Sequence, residues 1–241
     1  MSRVAELAGN LTALHARVGA ACAAAGRDPA EITLIAVTKT YPAADVLILA
    51  DLGLTDFGEN RDQEASRKAA EVGAAASIRW HFIGQLQTNK AHSVARYADF
   101  VHSVDRVRLA RALGAAARAA ERDLTCLVQV SLDPADAGDG ARASPARGGA
   151  PPARLAEVAA AIEAEEGLTL GGLMAVAPRF TEPEAAFAPL RRLSDVIQAV
   201  NPLATAVSAG MSGDLEAAIQ SGATHLRIGT ALLGNRRPPV R

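Results

Sequence analysis

One pattern constrains this chain more than any other: a short apolar, β-branched run that occurs eight times, each except the last followed by an amphipathic stretch. The first run, Ile32-Thr33-Leu34-Ile35-Ala36-Val37-Thr38-Lys39, is apolar almost without interruption. Runs of this kind suit strands buried on both faces, as in a parallel sheet covered by helices. Further strands are predicted over 56–60, 78–84, 100–104, 124–131, 168–176, 205–209 and 225–230. Helices are predicted between them, over 43–52, 61–72, 88–96, 105–121, 153–166, 183–199 and 213–221. An extra amphipathic helix precedes the pattern over 2–26 and is closed by Gly26. Eight β–α units in 241 residues fit a closed (β/α)8 barrel. A doubly wound sheet would have fewer strands and a glycine-rich loop after the first one. Here the first strand ends in Thr38-Lys39-Thr40. The expectation is an α/β chain, a single TIM-type barrel domain over 1–241. Residues 133–152, rich in Gly, Ala, Pro, Asp and Arg, read as a long mobile loop. The tail 231–241 is expected to supply a final turn.

Composition narrows the function classes. The 25 basic and 26 acidic side chains leave a formal net charge of -1, without the basic excess of a nucleic-acid binder. No apolar run reaches the ~18 residues of a membrane span, and the N-terminus carries Glu6 where a signal peptide turns apolar. Two cysteines, Cys22 and Cys126, form no disulfide framework. A cytoplasmic protein that binds neither nucleic acid nor membrane is expected.

Only three lysines occur, Lys39, Lys68 and Lys90, against 22 arginines. In a barrel of this kind the functional site lies at the C-terminal ends of the strands, and Lys39 is the one lysine at such an end. A poorly solvated ammonium has a lowered pKa and can attack a carbonyl; alternatively, its stem lies along the rim and the charge snorkels to water. Strand seven runs into Ser208-Ala209-Gly210-Met211-Ser212-Gly213-Asp214 and strand eight into Gly229-Thr230. Small residues before a helix start offer backbone N–H groups to a phosphate, although Ser212-Gly213-Asp214 also reads as a plain helix cap. Alternation turns His225, Arg227 and Gly229 toward the barrel interior. Arg227 then needs a partner, either an acid such as Glu59 or an acceptor on a ligand. An amine, a phosphate cradle and an inward arginine together describe a pyridoxal 5'-phosphate site.

Several segments then become recognisable: Ala36-Val37-Thr38-Lys39-Thr40, Phe57-Gly58-Glu59-Asn60, the run His81-Phe82-Ile83-Gly84-Gln85-Leu86-Gln87-Thr88-Asn89-Lys90, His102-Ser103-Val104-Asp105, Gly172-Leu173-Met174-Ala175, Gly210-Met211-Ser212 with Asp214, and Arg227-Ile228-Gly229-Thr230. On these the chain resembles the pyridoxal phosphate homeostasis (PROSC-like) family, relatives of the N-terminal barrel of alanine racemase. The resemblance implies that Lys39 is the Schiff-base lysine and that Arg227 sits at the pyridine nitrogen. It implies that Ser208, Gly229 and Thr230 hold phosphate, with Asn60 near the ring. The loop at 133–152 departs from the family pattern.

Two function classes share this pocket. One is a carrier of pyridoxal 5'-phosphate, monomeric, that supplies cofactor-dependent apoenzymes. The other is an amino-acid racemase or related lyase, which needs a second acid/base group; of the two tyrosines, Tyr41 and Tyr97, only Tyr41 lies near the mouth. A sugar-phosphate aldolase would leave Arg227 unexplained. An arginine at the ring nitrogen weakens the ring as an electron sink, which favours the carrier. His81 and His102 are expected to be packed, hydrogen-bonded histidines. Lys68 is expected on the outer layer of a polar helix, and no metal-ligand spacing is found.

Overall fold

Each apolar run becomes a strand in the computed structural model of the protein, which describes residues 2–73, 77–133, 148–178 and 180–234. The strands are β1 (Thr33–Val37), β2 (Asp56–Glu59), β3 (Arg79–Phe82), β4 (Phe100–Val104), β5 (Leu124–Val130), β6 (Leu168–Ala175), β7 (Ala206–Ser208) and β8 (His225–Ile228). They pair in parallel in chain order, and β8 returns to β1 to close the barrel. The helices are α1 (Arg3–Ala25), α2 (Ala43–Asp51), α3 (Asp62–Val72), α4 (Ala91–Val94), α5 (Val107–Ala120), α6 (Leu155–Glu163), α7 (Pro183–Phe187), α8 (Leu190–Gln198), α9 (Leu215–Gln220) and α10 (Thr230–Leu233). The architecture is the TIM-type (β/α)8 barrel that the alternation predicts.

Local chemistry sets the ends of α1. Ser2 caps it by accepting from Ala5 N, and Gly26 ends it in the left-handed region at φ 65°. Its buried stripe, Leu7, Leu11, Leu14, Val18 and Cys22, packs toward α9 and α10. The apolar core is the shell between barrel and helices, where the outward residues Ala36, Phe57, Trp80, Leu226 and Ile228 meet the helix stripes. Cys22 and Cys126 are both buried there and free. The interior of the barrel is different. Asp56, His81, His102, Ser208 and Arg227 are all buried, where barrels of this type usually stack branched aliphatic side chains.

Three elements depart from the sequence reading. The helix expected over 183–199 is two helices, because Pro189 has no N–H to continue α7 and starts α8 instead. The first strand ends at Val37, not Lys39: Tyr41 N donates to Thr38 O (3.0 Å) and Thr40 takes φ 70°, so Lys39 lies on the turn beyond β1. The stretch 88–96 is a 3-10 turn, Thr88–Lys90, followed by α4. The tail does supply a final turn, α10. Most of the loop predicted over 133–152, namely 134–147, lies outside the described residues; at its far edge Ala150 bridges Val130. No helix among the described residues is long and apolar enough to cross a membrane.

Candidate functional site

Strand alternation sorts the residues at the end of β1. Ile35, Val37 and then Lys39 follow the inward face, whereas Thr38 turns outward toward α3. Lys39 is half-buried. Its two neighbours are clamped: Thr38 Oγ1 donates to Glu59 Oε1 (2.7 Å), and Thr40 N donates to Glu64 Oε1. Between these acids lies Lys68, whose ammonium donates to Thr38 O (2.8 Å) and pairs with Glu59 and Glu64.

This corrects the expectation that Lys68 belongs to the outer layer. Ala65, Lys68 and Val72 form the buried stripe of α3, so Lys68 faces the barrel and is only 5% exposed. The spacing 65/68/72, together with Glu64 four residues before Lys68, is the signal that would have revealed it. Burial pushes the Glu59 carboxyl up from its ordinary range, against the bonds from Lys68 and Thr38. Asn60 follows directly, half-buried. A Cβ on Gly84 would lie 2.1 Å from Asn60 O, so the ends of β2 and β3 meet where only glycine fits.

Arg227 is held without an acid. Its Nη1 donates to Ser208 O and Ser208 Oγ (both 2.7 Å), and its Nη2 donates to Ala175 O (2.8 Å). Glu59, considered from sequence as its partner, points outward and is taken by Lys68. Among the described residues no carboxylate comes within ion-pair distance of Arg227. Burial lowers this guanidinium to about 10. The register pairs Ile35 with Arg227 and Ala36 with Ile228, so Gly229 comes level with Val37; a Cβ on Gly229 would lie 3.7 Å from Val37 O. Lys39, Arg227 and Gly229 therefore converge on one side of the barrel mouth.

Two turns meet beside them. Ser212 Oγ accepts from Ala231 N (3.1 Å), which ties the turn after β7 to the start of α10. Gly210 allows the first turn at φ 88°, and Asp214 Oδ1 caps it from Met211 N. Thr230 is exposed at the second. Ser208, expected to hold phosphate, is engaged elsewhere. Its Oγ is buried and bonded to His102 Nδ1 (3.0 Å) as well as to Arg227. The hydroxyl that stands between the two turns is that of Ser212, a residue the sequence placed in the cradle but not among the ligands.

Residues 9–237 match the family described as "Alanine racemase, N-terminal domain". The chain is 43% identical to the pyridoxal phosphate homeostasis protein of Mycobacterium bovis, over 98% of this chain and 95% of that one. It is similar to the solved structure of PipY from Synechococcus elongatus with pyridoxal phosphate bound, at a TM-score of 0.78 and 32% identity over 95% of this chain and 100% of that one. Alanine racemase from Corynebacterium glutamicum shares the fold alone, at a TM-score of 0.70 and 13% identity, with 95% of this chain and 60% of that one covered. The chain belongs to the pyridoxal phosphate homeostasis protein family.

Proposed function

We propose that the protein binds pyridoxal 5'-phosphate at the mouth of its barrel and holds it for delivery to cofactor-dependent apoenzymes in the cytoplasm, acting as a monomeric carrier. The observation that carries this reading is Arg227, a buried guanidinium whose hydrogen bonds all run to uncharged oxygens. A guanidinium has five N–H donors and no acceptor, so Arg227 has donors left over for an acceptor such as an unprotonated ring nitrogen. The bound pyridoxal phosphate of PipY and the name shared by the curated relatives support the same reading.

The residues present fit the group. When bound, pyridoxal 5'-phosphate supplies an aldehyde that condenses with an amine and releases water. Lys39 provides the amine from a turn clamped at Thr38 and Thr40. Gly229, Thr230 and Ser212 would offer backbone and hydroxyl donors to the phosphate, and Asn60 would flank the ring. Arg227 would donate to the ring nitrogen and disfavour its protonation, which would withhold the electron sink that amino-acid turnover requires. Tyr41, the strongest candidate for a second base, donates its hydroxyl to Gly234 O (2.8 Å) and so serves the fold.

Borohydride reduction of the loaded protein, followed by peptide mapping, tests the assignment. The added mass is expected on Lys39. Lys39→Ala is expected to lose the visible band of the bound cofactor and to keep weaker, phosphate-dependent binding. Trapping on Lys68 or Lys90 overturns the site. Enzymatic exchange of amino-acid Cα protons in deuterated water, at roughly 1 per second or more, overturns the carrier role.

A further inference from the structure

The polar interior of the barrel forms a single continuous chain of side chains. Asp56 Oδ1 meets His81 Nε2 (2.8 Å), His81 Nδ1 meets His102 Nε2 (2.9 Å), His102 Nδ1 meets Ser208 Oγ (3.0 Å), and Ser208 Oγ meets Arg227 Nη1 (2.7 Å). The five residues come from β2, β3, β4, β7 and β8. The chain therefore crosses the barrel from the starting end of β2 to the arginine under the mouth. We propose that Asp56, His81 and His102 are positioning residues for the cofactor ring, fixing the direction of every hydrogen bond up to Arg227. The proposal rests on the reading that Arg227 faces the ring nitrogen.

The direction follows from donor and acceptor counts. An ionised Asp56 only accepts, so His81 must carry its proton on Nε2. A neutral His81 then accepts at Nδ1, which requires Nε2–H on His102. A neutral His102 accepts at Nδ1 in turn, so the Ser208 hydroxyl donates to it. The lone pairs of Ser208 Oγ are left facing Arg227, which can only donate. Reversing any one link would set two protons or two lone pairs against each other among buried side chains.

The electrostatics agree. Burial alone would raise Asp56, but bonds from His81, Arg79 and Thr55 bring it to about 2. Burial depresses His81, despite Asp56 at one nitrogen and with Arg79 and Asp99 nearby. Burial depresses His102 well below its ordinary value, with His81, Arg227 and His225 as its charged or titratable neighbours. Both rings stay neutral. Phe100 stacks on His81 (centroids 4.3 Å apart, planes 8° apart) and fixes the ring plane. At the far end Arg79 and Thr55 hold the second Asp56 oxygen (both 2.7 Å). Asp56, Arg79, Thr55 and His15 line a cavity of about 410 Å³ there, so the chain begins next to solvent and ends under the cofactor.

Two measurements on the same labelled protein test this. Long-range nitrogen–proton correlation spectra should show His81 and His102 as neutral Nε2–H tautomers between pH 6 and 8; a charged ring or an Nδ1–H tautomer in either overturns the proposal. In the pyridoxal phosphate-loaded protein, His102→Leu should shift the visible band and speed cofactor release at least tenfold. His102→Gln, whose amide keeps one donor and one acceptor, should stay within threefold of wild type. Should His102→Leu fail to fold, Asp56→Ala, which removes the acceptor that sets the direction, should shift the same band. A folded His102→Leu or Asp56→Ala with an unshifted band overturns the relay alone, whereas a wild-type protein that binds no pyridoxal phosphate overturns the cofactor reading beneath it.

Discussion

Lys68 shows how one side chain can decide the geometry of another. Its ammonium bonds to Thr38 O and to the fully buried Glu59, which fixes the residue preceding Lys39. Removing one partner of such a pair leaves an uncompensated buried charge, at a cost of about 3–5 kcal/mol. Lys68→Met is therefore expected to lower urea stability by about that amount. Lys68→Met combined with Glu59→Gln should recover a large part of it, because the remaining amide still accepts from Thr38 and carries no charge. A double variant no more stable than Lys68→Met would mean that Lys68 acts through its methylene stem. The sequence made Lys39 legible because its isolation at a strand end is a property of one segment. Lys68 was not legible in the same way: its importance depends on which side of α3 meets β2, and that is decided by packing. The same holds for His81 and His102, which read correctly as packed histidines, while the link between them spans two strands and appears only when the barrel closes.

At the level of elements, the sequence was most reliable where periodicity is strong and least reliable where a turn chooses the geometry. All eight strands and the parallel, closed sheet follow from two-sided apolar runs. The break at Pro189 and the early end of β1 at Val37 come from local backbone chemistry that hydrophobic periodicity does not register. The contact between β2 and β3 belongs to this scale as well. Asn60 O occupies the space where a Gly84 side chain would be (2.1 Å from an ideal Cβ), and a backbone carbonyl cannot rotate away as a flexible side chain can. Gly84→Ala is expected to push the two strand ends apart and to cost about 1–3 kcal/mol, the usual range for overpacking. Because Asn60 flanks the proposed ring site, the variant should also release pyridoxal phosphate faster while keeping its Lys39 linkage. Thermal unfolding and cofactor release, measured on the same preparation, would separate the two effects. An unchanged melting temperature would mean that the β2 end yields without cost.

On the scale of the whole molecule, the two ends of the described chain are joined beside the proposed cofactor site. α10 has only four residues, too few to be stable alone, yet its first residues form half of the proposed phosphate cradle. Three carbonyls at its C-terminal end are taken by distant side chains. Asn10 Nδ2 donates to Leu232 O (2.9 Å), Arg3 Nη2 to Leu233 O (3.1 Å) and Tyr41 Oη to Gly234 O (2.8 Å). α1 thus closes the shell against α9 and also holds the last turn in helical form. Asn10→Ala removes one of these bonds, worth about 1 kcal/mol, without touching the barrel. Hydrogen exchange at Thr230–Leu233 should accelerate while the strands keep their protection. If the turn must be ordered to receive phosphate, the same loss weakens pyridoxal phosphate retention about fivefold, and borohydride should still trap the cofactor on Lys39. Tyr41→Phe should act in the same direction, since it deletes a single hydroxyl at the same helix end. Unaltered exchange in both variants would show that α10 is ordered by the barrel rim and that α1 contributes packing alone.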